Sequence, residues 1–92
     1  MNKDRRECLA EVESIIEEAI YQIQDIIDEE QDAFDSLPDS LQDTERGAKM
    51  EDAINDMEEL IGKLEAVSNE IESVVKKYSP AKKKKAKVIN IK

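Results

Sequence analysis

The chain has 92 residues, of which 40% are charged and 39% are apolar, and its net charge is −9. A chain this short forms one domain and buries only about 60% of the surface that its unfolded form exposes, so its own core is marginal. It contains no histidine, no glycine-rich phosphate-binding loop, and no serine or cysteine beside an identifiable base. We therefore expect a protein that is not an enzyme and that binds no cofactor.

Apolar residues in the first third of the chain recur at steps of three and four, which is the spacing of one face of an α-helix. Glu30 occupies one expected apolar position. The pattern predicts a helix over residues 4–35. Its stripe consists of Leu9, Val12, Ile16, Ala19, Ile23, Ile26 and Ala33, widened by Ile15, Ile20, Ile27 and Phe34.

A stricter repeat of seven residues follows in the second half of the chain and predicts a second helix over residues 44–78. One core position of this repeat holds Met50, Met57, Leu64, Ile71 and Tyr78. The other holds Ala53, Leu60, Val67 and Val74, with Ile54, Ile61 and Val75 beside them.

Between the two helices, the segment 36–43 carries the turn signal, because Pro38 disfavours helical geometry at Leu37. A link this short favours an antiparallel arrangement. The expected fold is therefore all-α: residues 1–79 form one long, coiled-coil-like antiparallel hairpin. Both apolar stripes are wider than a two-stranded coiled coil requires, so we expect a homodimer that forms a four-helix bundle. The predicted oligomer core is Ile16, Ile23, Ile27, Met57, Leu60, Leu64 and Ile71.

Acids dominate this helical body. Residues 1–78 hold all 23 acids of the chain and only eight bases, and no Lys or Arg lies between Glu7 and Glu45. Five carboxylates at helical spacing form a predicted partner-binding acidic face: Asp25, Asp28, Glu29, Asp32 and Asp35. They lack the loop pattern of a calcium site and the Glu-x-x-His elements of a di-iron site, so we favour a solvated face over a metal site. Such a surface fits a basic partner.

Imitation of nucleic acid is one reading of this charge. The net charge of −15 over residues 1–78, along a rod of roughly 50 Å, gives about one charge per 3.3 Å, which is half the density of duplex DNA. A dimer of the same length would match DNA. The alternative is that the acids serve only solubility, as on many coiled-coil surfaces.

Residues 80–92 are expected to form a separate, disordered basic tail without an aromatic residue to stack on a base. Its lysines favour weak, sequence-independent contact with nucleic acid, or contact with the acidic body. The residues concerned are Lys82, Lys83, Lys84, Lys85 and Lys87.

Cys8 is the only cysteine, which fits a reducing compartment. No continuous apolar stretch has the length of a signal peptide or a membrane span. We therefore expect a cytoplasmic protein that does not enter a membrane.

The residues around the turn carry a specific pattern: an acidic-Gln-acidic run over 29–32, Phe34, Leu37-Pro38, and Thr44-Glu45-Arg46-Gly47 before Met50-Glu51-Asp52-Ala53-Ile54. Over residues 5–75 the chain resembles the small acidic helical-hairpin proteins of phages and mobile elements of Gram-positive bacteria, which are mostly uncharacterised. The resemblance implies a cytosolic accessory of phage or host with no catalytic residues. The Lys-rich tail departs from the family pattern.

Three functions remain open. The first is an acidic nucleic-acid mimic that inhibits a basic, nucleic-acid-binding or defence protein of the host. The second is a structural coiled-coil adaptor that joins a larger assembly through apolar surface, and the third is a nucleic-acid accessory that acts through the lysine tail. High salt should weaken partner binding by a nucleic-acid mimic and leave partner binding by an adaptor intact. Deletion of residues 80–92 should abolish only an activity that acts through the lysine tail.

Overall fold

A computed structural model of the chain describes residues 1–79. In this part of the chain 89% of the residues are helical and there is no strand, so the predicted all-α fold is confirmed. Two helices of 33 residues, α1 (Lys3–Asp35) and α3 (Glu45–Lys77), form a long pair. A helix of 4 residues, α2 (Asp39–Gln42), lies between them within the predicted turn. The predicted tail, 80–92, lies outside the described residues.

Side chains define both ends of α1. The Oδ1 atom of Asn2 accepts a hydrogen bond of 2.9 Å from the backbone N–H of Arg5, which satisfies one of the amides that a helix N-terminus leaves unpaired. At the other end, the hydroxyl and the backbone N–H of Ser36 donate to the carbonyl oxygen of Asp32 at 2.8 and 3.0 Å. The helix α1 ends here because Pro38 disfavours helical geometry at the preceding residue, Leu37.

Gln42 fastens the connection between the long helices. Its side-chain amide donates to the carbonyl oxygens of Phe34 and Leu37, at 3.2 and 3.1 Å. Thr44 stands at the N-cap of α3, but its hydroxyl donates to the carbonyl oxygen of Leu41 and does not cap the helix. Hydrogen bonds from the end of α2 to the end of α1 therefore stabilise the connection.

The long helices face each other along one stripe of each, which we call the seam. Near one end, the Nη1 atom of Arg6 donates to the carbonyl oxygen of Tyr78 at 3.1 Å. Near the other end, Phe34 and Ile54 line the same groove. Contacts between α1 and α3 therefore occur near both ends of the pair.

One of the two rows that α3 places in the seam differs from the prediction. Met50, Met57, Leu64 and Ile71 are half-buried there. The second row is not Ala53, Leu60, Val67 and Val74 but the neighbouring set Gly47, Ile54, Ile61, Ser68 and Val75. Leu60 and Val67 are exposed, and so is Tyr78. This orientation of α3 places Ile54 and Ile61 in the seam in place of Ala53 and Leu60. Gly47 and Ser68 are not apolar core residues, so a search for an apolar repeat does not detect this row.

The seam does not enclose a full core. Ile27 and Ile54 are the buried apolar side chains of residues 1–79, at 5% and 7% exposure, and no side chain there is below 2%. Two helices in contact along a single stripe leave both sides of that stripe open, so these sides remain available to another molecule.

Candidate interaction surfaces

The acids on the outside of α1 also follow a seven-residue repeat. Its members are exposed and lie on the side of α1 opposite the seam, half a turn away. Neighbouring members are about 10 Å apart along the helix, because each residue rises about 1.5 Å. We call this set the acidic row: Glu11, Glu18, Asp25 and Asp32.

All five residues of the predicted acidic face are exposed on α1. Asp25 and Asp32 belong to the acidic row, whereas Asp28 and Asp35 lie on one side of it and Glu29 lies on the other. The only hydrogen bonds to the carboxylates of these five within residues 1–79 come from neutral amides: Gln24 donates to Asp28 at 3.3 Å, and Gln31 donates to Asp35 at 3.0 Å. The predicted face is therefore a broad strip that surrounds part of the row.

No base from the described part of the chain forms an ion pair with the acids of α1. The ion pairs of residues 1–79 lie within α3, where Lys49 approaches Glu45 at 3.6 Å and Lys76 approaches Glu72 at 3.4 Å. The helix packing therefore does not supply the compensating charge that the sequence lacks between Glu7 and Glu45. The outer side of α1 presents a field of one sign to solvent.

Members of the acidic row are too far apart to share a cation. Among residues 1–79, no three or more His, Cys, Asp or Glu side chains are grouped so that they could hold a metal ion. Oxygen ligands surround a calcium ion at about 2.3–2.6 Å, whereas neighbours in the acidic row are about 10 Å apart along the helix.

No helix of the described chain combines the length and the apolar character that crossing a membrane requires.

A second line of acids lies on one side of the seam, and the sequence reasoning missed it. Glu65 of α3 lines a groove with Glu17 and Tyr21 of α1, and Glu58 lines another with Gln31. We call this side the polar flank. Its signal in the sequence is a seven-residue repeat of exposed glutamates parallel to the core rows: Glu51, Glu58, Glu65 and Glu72.

The opposite side of the seam is apolar on both helices. Val12, Ile26, Leu60 and Val67 are 40–51% exposed there. We call this surface the apolar flank; it consists of Val12, Ala19, Ile26 and Ala33 of α1 and of Ala53, Leu60, Val67 and Val74 of α3. Of the predicted oligomer core, Leu60 lies on this flank, and the other members lie in the seam within one chain: Ile16, Ile23, Ile27, Met57, Leu64 and Ile71.

Polar side chains also enter the seam. Ser68 is 8% exposed, and its hydroxyl donates to Oε2 of Glu13 over a long 3.5 Å. Glu13 and Glu30 are half-buried on the facing side of α1. These positions are poor candidates for partner contacts because the neighbouring helix covers them.

Comparison of the chain with protein-family models, with curated proteins and with solved structures gives no match. Two surfaces of the described chain are open to a partner: the acidic outer side of α1 and the apolar flank.

Proposed function

We propose that this chain is a non-catalytic interaction protein that imitates nucleic acid: the acidic outer side of α1 occupies the basic, nucleic-acid-binding surface of a host protein and blocks it. One observation carries the proposal. The acidic row is exposed along α1, and no base of residues 1–79 pairs with it. A surface of one sign attracts a basic site over long range and repels acidic competitors.

The spacing of the exposed acids supports this reading. From Glu7 to Asp35, α1 carries eleven acids, nine of them exposed. Those residues span about 42 Å of helix axis, so exposed charges recur about every 4.7 Å, compared with about 3.4 Å between phosphates along one DNA strand. The two spacings are similar enough for one basic surface to bind either.

We also propose that the long helices form an antiparallel hairpin and that two copies pair as a four-helix bundle in the cytoplasm. The order of the seam contacts, from Arg6 beside Tyr78 to Phe34 beside Ile54, supports the first part. The open apolar flank supports the second. Pairing places a second acidic side on the same rod and doubles its charge. In line with the resemblance, we assign the chain to the accessory proteins of phages and mobile elements.

The test is a pull-down from a Gram-positive cell lysate with the full chain as bait, followed by elution with duplex DNA and identification of the released proteins by mass. The critical variant replaces the five residues of the predicted acidic face by their amides: Asp25→Asn, Asp28→Asn, Glu29→Gln, Asp32→Asn and Asp35→Asn. A matched variant removes five charges from α3 instead: Glu51→Gln, Asp52→Asn, Glu58→Gln, Glu59→Gln and Glu65→Gln.

Imitation predicts that duplex DNA releases a protein from the unaltered bait and from the α3 variant, whereas the α1 variant captures little of it. Equal capture by the α1 variant contradicts the proposal. So does a captured protein that duplex DNA leaves on the bait.

A structural adaptor is the second candidate, and the exposure of Leu60 and Val67 favours it. An adaptor joined through apolar surface retains its partner at high salt, because screening weakens contacts between charges and not apolar burial. A partner that survives a high-salt wash and that the Leu60→Glu variant loses therefore favours the adaptor over the mimic. A third role, through the lysine tail, depends on residues outside the described part of the chain.

A further inference from the structure

The proposed contact with a basic partner leaves the apolar flank unused. We propose that a second copy of this chain docks on the apolar flank, with the two α3 helices antiparallel about a two-fold axis at Leu60. This inference rests on the dimer proposed above and specifies its surface, its orientation and the residues that fix its register.

The size of the flank fits a dimer interface. From Val12 to Ala33 it extends about 32 Å along α1, and two adjacent helices make it about 18 Å wide. Each copy then contributes about 600 Å², or about 1,200 Å² in total, which is the lower bound for specific, stable interfaces. An apolar patch of about 600 Å² is at the upper limit of what soluble monomers expose.

The charges that border the flank on α3 favour a second copy as its occupant. Five exposed residues alternate in sign at seven-residue spacing: Lys49, Asp56, Lys63, Glu70 and Lys77. Alternating charges beside an apolar stripe complement themselves when the helix meets an antiparallel copy of itself, and such flanking charges set partner and orientation in coiled coils. A basic or acidic partner of a single sign would meet like charges at every second position.

The same charges restrict the register to axes one full repeat apart, such as Leu60 and Val67. With the axis at Leu60, Lys49 of one copy lies beside Glu70 of the other, and Asp56 lies beside Lys63. A shift of the axis by half a repeat sets Lys63 against its own equivalent and Asp56 against Glu70, so like charges meet. The axis at Leu60 also places the largest exposed side chain of the α3 part of the flank at the centre of the interface.

The α1 side of the flank agrees with this axis. Seam contacts such as Arg6 with Tyr78 and Glu13 with Ser68 place Ile26 level with Leu60 to within about one helical turn. The axis therefore passes within about one helical turn of Ile26, the bulkiest residue of the α1 part of the flank. Both helices place their bulkiest flank residue near the centre.

Disulfide trapping of the full chain tests the surface and the orientation. In a Cys8→Ser background, single cysteines replace Leu60, Ala53 or Val67, and Ala66→Cys on the outer side of α3 is the control. We expect Leu60→Cys to link to itself at least about tenfold faster than Ala66→Cys. We expect Ala53→Cys and Val67→Cys to link mainly to each other when mixed, since the two positions are equidistant from Leu60.

A pair of charge reversals tests the register. Lys63→Glu places an acid beside Asp56 of the other copy, twice per dimer, so we expect the dimer dissociation constant to rise about tenfold. Lys76→Glu, the same change outside the flank, should leave it within about twofold. Adding Asp56→Lys to Lys63→Glu restores the original constant. Sedimentation equilibrium measures all of these values, and circular dichroism verifies that the variants remain helical.

Each contrary result points to a different failure. A light-scattering mass of one chain at tens of micromolar overturns both the dimer and this inference. Linking at Ala66 as fast as at Leu60 overturns the surface, and self-linking of Ala53→Cys and Val67→Cys as fast as Leu60→Cys overturns the antiparallel orientation. A failure of Asp56→Lys to restore dimerisation overturns the register. The charge-neutralised baits test nucleic-acid imitation separately.

Discussion

A β-carbon added to Gly47 would lie 2.1 Å from the backbone carbonyl oxygen of Gln42. Gly47 is buried in the first turn of α3, and the carbonyl carbon and the α-carbon of Gln42 would lie 2.7 and 2.9 Å from the same added atom. The contact joins two backbones, so no side-chain rotation relieves it. Glycine at this position allows α2 to rest on α3 while Gln42 binds the end of α1.

The first prediction follows from this contact. Gly47→Ala should lower the free energy of unfolding by about 1–3 kcal/mol, because the added methyl group overpacks a site closed by backbone atoms. Gly62 is the matched control, since a β-carbon there meets nothing within 4 Å. Gly62→Ala should raise the free energy of unfolding by up to about 1 kcal/mol through helix propensity alone. Urea denaturation followed by circular dichroism measures both, and a gain at position 47 would contradict the close packing.

Periodicity was sufficient to predict the long helices, because each repeats its apolar spacing over more than four turns. It was not sufficient to orient α3, since Gly47 and Ser68 occupy core positions that an apolar repeat does not recognise. Helical spacing also predicts that Asp25 and Asp32 share one face of α1, and both residues are exposed. The polar and apolar sides of the seam are set by how α1 and α3 face each other. They can be assigned only when the contacts between the two helices are known.

The second prediction concerns the two buried isoleucines. Ile27→Ala and Ile54→Ala should each lower the free energy of unfolding by about 2–4 kcal/mol, because each removes methyl groups from the seam and leaves a cavity. Ile15 is 66% exposed, so Ile15→Ala should change stability by less than about 0.5 kcal/mol. Thermal denaturation at one protein concentration measures all three. Similar losses at positions 15 and 27 would show that the seam does not govern stability.

The third prediction concerns Ser68, the buried hydroxyl of the seam. Its hydrogen bond to Glu13 is 3.5 Å long, which is beyond the usual range for an O–H donor. Ser68→Ala should therefore cost little and gain from helix propensity, with a net rise in unfolding free energy of about 0.5 kcal/mol. The Glu13→Gln variant, which keeps an acceptor, should be nearly neutral. A loss above about 1 kcal/mol for Ser68→Ala would mean that the hydroxyl makes a stronger bond in solution.

The fourth prediction separates stability from function on the acidic side of α1. Asp25 and Glu29 are one turn apart and repel each other, so Glu29→Lys converts a repulsive pair into an attractive one and should raise the free energy of unfolding by about 0.5–1 kcal/mol at low salt. Glu72→Lys is the opposite control, because it sets two lysines together where Glu72 now pairs with Lys76 at 3.4 Å, and it should lower stability. Both effects should shrink in 1 M salt, where the Debye length is about 3 Å.

The two readings of the acids differ in what Glu29→Lys does to binding. The substitution changes the net charge of the chain from −9 to −7, and a magnitude of about 7 lies within the range of about 2–8 that keeps small domains soluble. If the acids served only solubility, the variant should retain every partner. Imitation instead predicts a more stable protein that captures less of the DNA-displaceable partner, because one added base now lies within a surface that must present a single sign. Capture from lysate, compared with the free energy of unfolding of the same variant, decides between them.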